Sequence, residues 1–165
     1  MNNIRRISTP VIVSMLLLLM TACTGAKESA NDHARHLLPN GDLQETTASV
    51  SELPSFLEQQ PEIVAQIYQI AAAHADLLAS IPCYCGCGDS AGHRHNMNCF
   101  IHEIKDDGAV VWDDHGTRCN VCLEIAVKSA EMKQQGKSTR DIRETIDDMY
   151  KKGYAKPTPT PMPAA

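Results

Sequence analysis

Three cysteines at alternate positions, in the segment IPCYCGCG at residues 81–88, constrain this chain more than any other feature. In a straight strand, such cysteines would lie about 6.6 Å apart along one face. Two thiolates on one zinc ion lie closer together, since each Zn–S bond is about 2.3 Å. Gly86 and Gly88 allow the backbone to curl, because glycine adopts left-handed conformations freely. The segment is therefore predicted to be a folded sulfur cluster and not a strand.

Residues 1–23 have the layout of an export signal. The basic pair Arg5-Arg6 precedes an apolar run at 11–20, and the segment ends in Cys23. The run is too short to cross a bilayer core of about 30 Å at 1.5 Å per helical residue. The segment resembles the bacterial lipobox, with Met20 where leucine is usual, and the resemblance implies that Cys23 is lipidated. We therefore expect an extracytoplasmic protein, anchored by lipid to the cell membrane or the outer membrane.

The charge balance argues against a nucleic-acid partner. The chain has 20 acidic and 15 basic residues, a formal net charge of −5, and two of the basic residues lie in the expected signal. Such an acidic chain repels phosphate backbones. The sequence has only one Trp and two Phe, so a small core is expected to need disulfides or a metal, which the six cysteines beyond Cys23 could supply.

The remainder of the chain is predicted to divide into three parts. Residues 24–54 are mostly polar and are expected to form a flexible tether. Residues 55–154 contain six cysteines and the apolar helical patterns, and are expected to form the folded domain. Residues 155–165 carry proline at alternate positions, which predicts an extended, disordered tail.

The domain is predicted to be mainly α, with about three helices around a central loop rich in Cys and His. The first helix, at about 61–81, begins near Pro61, stops at Pro82 and places Ile63, Ile67 and Ile70 on one apolar face.

The other two helices are predicted at 117–135 and 138–152, the last with a start at Ser138 that resembles a capping box. Residues 101–112 fit either a short hairpin or a loop that packs Trp112 against the helices.

More metal-ligating side chains follow the cysteine triplet. His93 and His95 lie between Cys87 and Cys99. Thiolate and imidazole are the side chains that zinc and copper prefer. His93 is the favoured ligand of the two, because Gly92 allows the loop to turn back toward the cluster.

A second cysteine pair, Cys119 and Cys122, lies at the predicted start of the second helix. A helix N-terminus carries a partial positive charge and unpaired N–H groups, which favour a thiolate over a thiol. No βαβ pattern of the thioredoxin kind surrounds the pair, and Leu123 stands where covalent haem attachment needs His.

Several short strings resemble the bacterial PCYCGC-motif lipoproteins over about residues 55–154. They are PCYCGC at 82–87, CFI at 99–101, WDDH at 112–115 and CNVC at 119–122. This resemblance implies a set of candidate metal ligands but no particular reaction: Cys83, Cys85, Cys87, His93, Cys99, His115, Cys119 and Cys122. A fainter similarity, carried by RCNVC at 118–122 and GKS at 136–138, is to the cytochrome c maturation thioreductases.

Three classes of function stay open at this stage. In the first, the six thiolates with His93 and His115 form one or two sites for zinc or copper(I), and the protein binds, stores or transfers the metal. In the second, three disulfides staple a surface interaction module. In the third, Cys119 and Cys122 exchange electrons with an envelope protein, which would make the protein a thiol–disulfide oxidoreductase. No catalytic residues for a hydrolase or transferase stand out.

Overall fold

A computed structural model of the protein describes residues 34–164. The predicted signal at 1–23, its lipidation residue Cys23 and the tether residues 24–33 lie outside the described residues. Within 34–164, no helix combines the length and the apolar character needed to cross a bilayer.

Four short strands form one antiparallel sheet in the order β1-β2-β4-β3. The strand β2 pairs with β4, which places Gln44 opposite Asp113 and Thr47 opposite Val110. The strands β3 and β4 form a hairpin, so the first of the two alternatives for residues 101–112 is the observed one. The strands are β1 Arg35–Leu37, β2 Leu43–Thr47, β3 Ile101–Ile104 and β4 Val110–Asp113.

The prediction of a mainly α fold is wrong, because the sheet makes the fold mixed α/β. Two of the strands, β1 and β2, come from the stretch predicted to be a flexible tether, and residues 34–54 are therefore not a tether. These strands are polar and short, so neither carries the apolar alternation that predicts a strand. The strand β1 pairs with β2, and β2 pairs with β4, more than 60 residues further along the chain. The pairing with β4 leaves no signal in the local sequence.

The helices are close to those predicted, except that the first is interrupted. His74 has φ −122° and ψ 27° and separates the first helix from a short second one. The predicted apolar face is right in part: Ile67 is buried, but Ile63 is 59% exposed, and Val64 and Tyr68 are buried in its place. The helices are α1 Glu62–Ala73, α2 Ala75–Leu78, α3 Cys87–Ser90, α4 Asn120–Gln134 and α5 Thr139–Tyr150; 3-10 turns occupy Ser55–Gln59, Asn96–Cys99 and Asp114–Arg118.

The start of α5 confirms the predicted cap, since Ser138 Oγ accepts a hydrogen bond from the Asp141 N–H at 3.1 Å. The helix α4 packs against both α1 and α5. An aromatic group lies between α1 and the sheet: the Tyr68 ring contacts Phe100 edge-on at 5.1 Å and lies 6.3 Å from Trp112. These contacts make a close-packed core beside the cysteine loop.

The proline-rich tail is ordered, so its predicted disorder is wrong, although it contains no helix or strand up to residue 164. The Thr158 N–H donates to the Cys83 carbonyl at 3.0 Å, and the Cys83 N–H donates to Thr158 Oγ1 at 2.9 Å. The Ala155 N–H donates to the Tyr84 carbonyl at 3.1 Å. The tail therefore supplies the hydrogen-bond partners that the irregular cysteine loop cannot supply for itself.

Candidate metal centre

The cysteine loop follows α2, contains Pro82 near its start and turns sharply before α3. Gly86 has φ 91°, a left-handed conformation that residues with a Cβ rarely adopt. This turn places Cys87 at the first position of α3, and the Asp89 N–H returns to the Gly86 carbonyl at 3.1 Å. The predicted role of Gly86 in curling the segment is confirmed, whereas Gly88 lies within α3 and has no left-handed conformation. The other end of the loop is held by the Asn96 N–H, which donates to the Ile81 carbonyl at 2.7 Å.

Five sulfur atoms from separate elements form one compact cluster. Cys122 Sγ, from the first turn of α4, lies 2.9 Å from Cys83 Sγ and 3.0 Å from Cys99 Sγ. Cys83 Sγ lies 3.2 Å from Cys85 Sγ, and Cys87 Sγ lies 3.9 Å from Cys99 Sγ. All six cysteines of the described chain are free thiols. Four of them could together hold a metal ion, since their sulfurs all lie within 4.8 Å of one another: Cys83, Cys85, Cys87 and Cys122.

Two histidines border the sulfur cluster on one side. His93 Nδ1 lies 3.5 Å from Cys99 Sγ, and Cys87, His93 and Cys99 form a second group of potential ligands within 4.8 Å. The His115 ring lies 4.7 Å from the His93 ring, measured between centroids. The arrangement therefore offers sulfur ligands on one side and mixed sulfur and nitrogen ligands on the other.

Crowding of the thiols shifts their pKa values in opposite directions. The hydrogen bond with Cys122 is the largest cause that lowers the pKa of Cys83, to about 4. The pKa of Cys122 is raised instead, chiefly by its interaction with Cys119 and then with Cys83. Burial raises the pKa of Cys99. The crowded thiols therefore interact strongly, and a neighbouring S–H group is what favours the thiolate form at Cys83.

The start of α4 does not activate Cys119 in the way that its sequence position suggests. Cys119 is the residue just before the helix. Its interaction with Cys122 lowers its pKa, but its interaction with Cys85 and its burial raise it, and the result is about 11. The effects of Cys85 and of burial therefore outweigh the lowering of the Cys119 pKa by Cys122.

The structure brings the eight predicted ligands close together. Six of them occur in the two groups above, and His115 occurs with His93 and Asp42 in a further group. Cys119 lies beside Cys85 and Cys122 without belonging to such a group. His95, which was predicted to be a less favourable ligand than His93, is half-buried, and burial lowers its pKa.

Asp42 is the residue of the centre that the sequence analysis missed. Both of its carboxylate oxygens lie 3.2 Å from His115 Nδ1, and one of them also contacts Arg118 Nη2. The pKa of His115 is raised to about 9, chiefly by its interaction with Cys85 and, against the effect of burial, by Asp42. A carboxylate on one ring nitrogen fixes the tautomer and orientation of a histidine that could bind metal through the other.

A local signal for Asp42 exists in the sequence. Asn40-Gly41 is the dipeptide most typical of a tight hairpin turn. In the structure Gly41 has φ 87°, and the turn joins β1 to β2. The polar composition of residues 24–54 had outweighed this signal.

Comparison with protein families agrees with this geometry. A family described as proteins of unknown function with a PCYCGC motif matches residues 12–163. The chain belongs to this family. The match extends beyond 55–154 to include the β1–β2 hairpin and the tail, both of which contact the cysteine centre in this PCYCGC protein. No curated protein and no solved structure matches the chain.

Proposed function

We propose that this PCYCGC protein binds a soft metal ion, zinc or copper(I), through its cysteine cluster, for structure, storage or transfer. The observation that carries the proposal is that four free thiols come together, with all their sulfurs within 4.8 Å of one another: Cys83, Cys85, Cys87 and Cys122. They come from a loop, a short helix and the start of α4. Thiolate-rich ligand sets select zinc and copper(I) over harder ions.

The burial of the cluster supports a bound cation. Cys83, Cys99 and Cys122 are fully buried. A thiolate in such surroundings is costly unless a positive charge or hydrogen bonds compensate it. A metal ion would supply that charge and replace the thiol protons. The sulfurs of Cys83 and Cys122, now 2.9 Å apart, would move to about 3.8 Å, the edge of a tetrahedron with Zn–S bonds of about 2.3 Å.

The redox alternative has less support from the burial and the pKa of its cysteine pair. A nucleophilic cysteine needs a lowered pKa and access to a partner. Cys119 is half-buried and its pKa is raised to about 11, and Cys122 is fully buried among several sulfurs. The disulfide alternative requires three defined pairs, whereas Cys122 Sγ has two sulfur neighbours at nearly equal distance, Cys83 and Cys99.

The full-length protein, purified under reducing and oxygen-free conditions, tests the proposal by elemental analysis and thiol counting. We expect at least one equivalent of zinc or copper, with thiols that become reactive when a chelator is added. The variant Cys122→Ser should lose this metal. The matched control Cys119→Ser makes the same change three residues earlier, outside the ligand groups, and should keep it.

Two results would contradict the metal proposal. Protein without a transition metal and without free thiols would be a disulfide-stapled module. One cysteine pair that cycles in a redox buffer, with a potential well above about −300 mV, would support the oxidoreductase instead.

We also propose that the protein is attached to a membrane through lipid on Cys23 and meets its metal donor or acceptor in the cell envelope. Support comes from the lipobox-like sequence that ends at Cys23. The test is cell fractionation with mass spectrometry of the N-terminal peptide. Wild type should be membrane-bound with a diacyl mass addition, and Cys23→Ala should carry no lipid. An unmodified Cys23 in wild type would refute the anchor.

A further inference from the structure

One cysteine belongs both to the sulfur-only group of potential ligands and to the group that contains His93 and Cys99. Cys87 Sγ lies within 4.8 Å of the sulfurs of Cys83, Cys85 and Cys122, and also within 4.8 Å of ligand atoms of His93 and Cys99. No other residue joins these two groups. A thiolate sulfur has several lone pairs, so one thiolate can bind two metal ions at once.

The second group already has the spacing of a metal site. Around a tetrahedral zinc ion, two sulfurs lie about 3.8 Å apart, and a sulfur and an imidazole nitrogen about 3.6 Å apart, as follows from bond lengths of about 2.3 and 2.0–2.1 Å. Cys87 Sγ and Cys99 Sγ are 3.9 Å apart, and Cys99 Sγ and His93 Nδ1 are 3.5 Å apart. Two of the three edges match without movement, and the third, between Cys87 Sγ and His93, is within 4.8 Å. The sulfur-only group, by contrast, contains separations as short as 2.9 Å.

We propose that the centre holds two metal ions that share the Cys87 thiolate: one among the four cysteines, and a second bound by Cys87, His93 and Cys99. This inference rests on the proposed function and deepens it from one site to a bridged pair. With three protein ligands, the second site leaves a fourth position open, which is the pattern of sites that accept an exchanging ligand.

The second site also has a route to solvent. A cavity of about 300 Å³ is lined by His93, together with Gly92, Asn98 and His102. His93 lies in the wall of this cavity, whereas none of the four cysteines of the sulfur-only group lines it. The ion at His93 is therefore the one that exchanges with a partner or a small chelator, and the ion among the four cysteines stays bound longer.

Cadmium-113 is a suitable probe, because it substitutes for zinc and can be observed directly by NMR. The metal-free, reduced full-length protein is titrated with ¹¹³Cd(II) alone. We expect two equivalents to bind and two resonances with a mutual scalar coupling, which arises only when one ligand atom joins the two ions. A chelator should remove one ion at least tenfold faster than the other.

Two variants assign the sites. His93→Ala should bind a single equivalent in the sulfur-only site and show one uncoupled resonance. His102→Ala, which changes a histidine of the same cavity wall that belongs to neither ligand group, should keep two coupled resonances.

The possible failures are distinguishable. One equivalent in wild type, or two resonances without coupling, would overturn the bridged pair and leave the proposed metal function intact. No stoichiometric binding in wild type would overturn both. If His93→Ala fails to fold, the coupling measured in wild type still decides.

Discussion

The aromatic core is buried, and so is the cysteine cluster apart from the half-buried Cys85, but their polar atoms are satisfied in different ways. In the core, Tyr68 Oη donates to the Asp113 carbonyl at 2.7 Å, and Trp112 Nε1 donates to Thr47 Oγ1 at 2.8 Å. In the cluster, the polar neighbours of Cys122 Sγ are other sulfurs, Cys83 Sγ at 2.9 Å and Cys99 Sγ at 3.0 Å. The core is complete without a ligand, whereas under the proposed function a cation would complete the cluster.

This difference separates two sources of stability. Burial of large aromatic side chains stabilises the fold whether metal is present or not. Metal binding adds stability only when the ion is bound to the folded state. Substitutions in the two regions should therefore respond differently to metal, and those at their boundary should affect both.

The largest effect is expected at Trp112, which is fully buried. Trp112→Ala should lower the free energy of unfolding by about 3–5 kcal/mol, because it removes a large core side chain and leaves a cavity. Urea unfolding monitored by circular dichroism measures the change. The loss should be equal with and without metal. A loss seen only in the metal-bound protein would contradict the separation of the two regions.

The loss of stability caused by Cys122→Ser should instead depend on metal. With free metal at about 1,000 times its dissociation constant, wild type should gain about 4 kcal/mol from binding, and the variant should lose most of this gain. Unfolding with and without a chelator measures the difference. Cys119→Ser is the control and should keep the gain. Equal stability of Cys122→Ser and wild type in the presence of metal would show that Cys122 is not a ligand.

Gly116 lies at the boundary between the two regions. A Cβ at this position would lie 2.8 Å from the Cys99 carbonyl oxygen and 2.9 Å from Cε1 of Phe100. Gly116→Ala should therefore destabilise the protein by about 1–3 kcal/mol, and should also weaken metal binding by displacing Cys99. Unfolding and metal competition, measured on one preparation, test both effects. Unchanged metal affinity would show that the Cys99 backbone adjusts without moving its sulfur.

The smallest effect is expected in the tail. Thr158→Val removes the hydroxyl that accepts from the Cys83 N–H, so it should lower stability by about 1 kcal/mol and speed metal release to a chelator. Thr158→Ser retains a hydroxyl and is the matched control. Release rates that are equal in both variants and wild type would show that the tail does not restrain the cysteine loop.

The local chemistry of the chain predicted the parts that depend on neighbouring residues. The cysteine loop with its turn at Gly86, the helices α4 and α5 with the cap at Ser138, and the family all follow from short strings of sequence. Such features are set by the backbone freedom of glycine, by capping and by helical periodicity, and these act over a few residues.

Tertiary structure decided what depends on distant partners. Glu45, a charged residue in a polar stretch, is buried in the sheet because its carboxylate accepts hydrogen bonds from the Ser55 N–H and Oγ, at 2.6 and 2.9 Å. Asp42 reaches His115 only because β2 pairs with β4, and the tail is ordered because Thr158 meets Cys83. Contacts between residues so far apart in sequence gain their free energy from the assembled fold. Composition alone therefore did not reveal them, and it predicted a tether and a disordered tail instead.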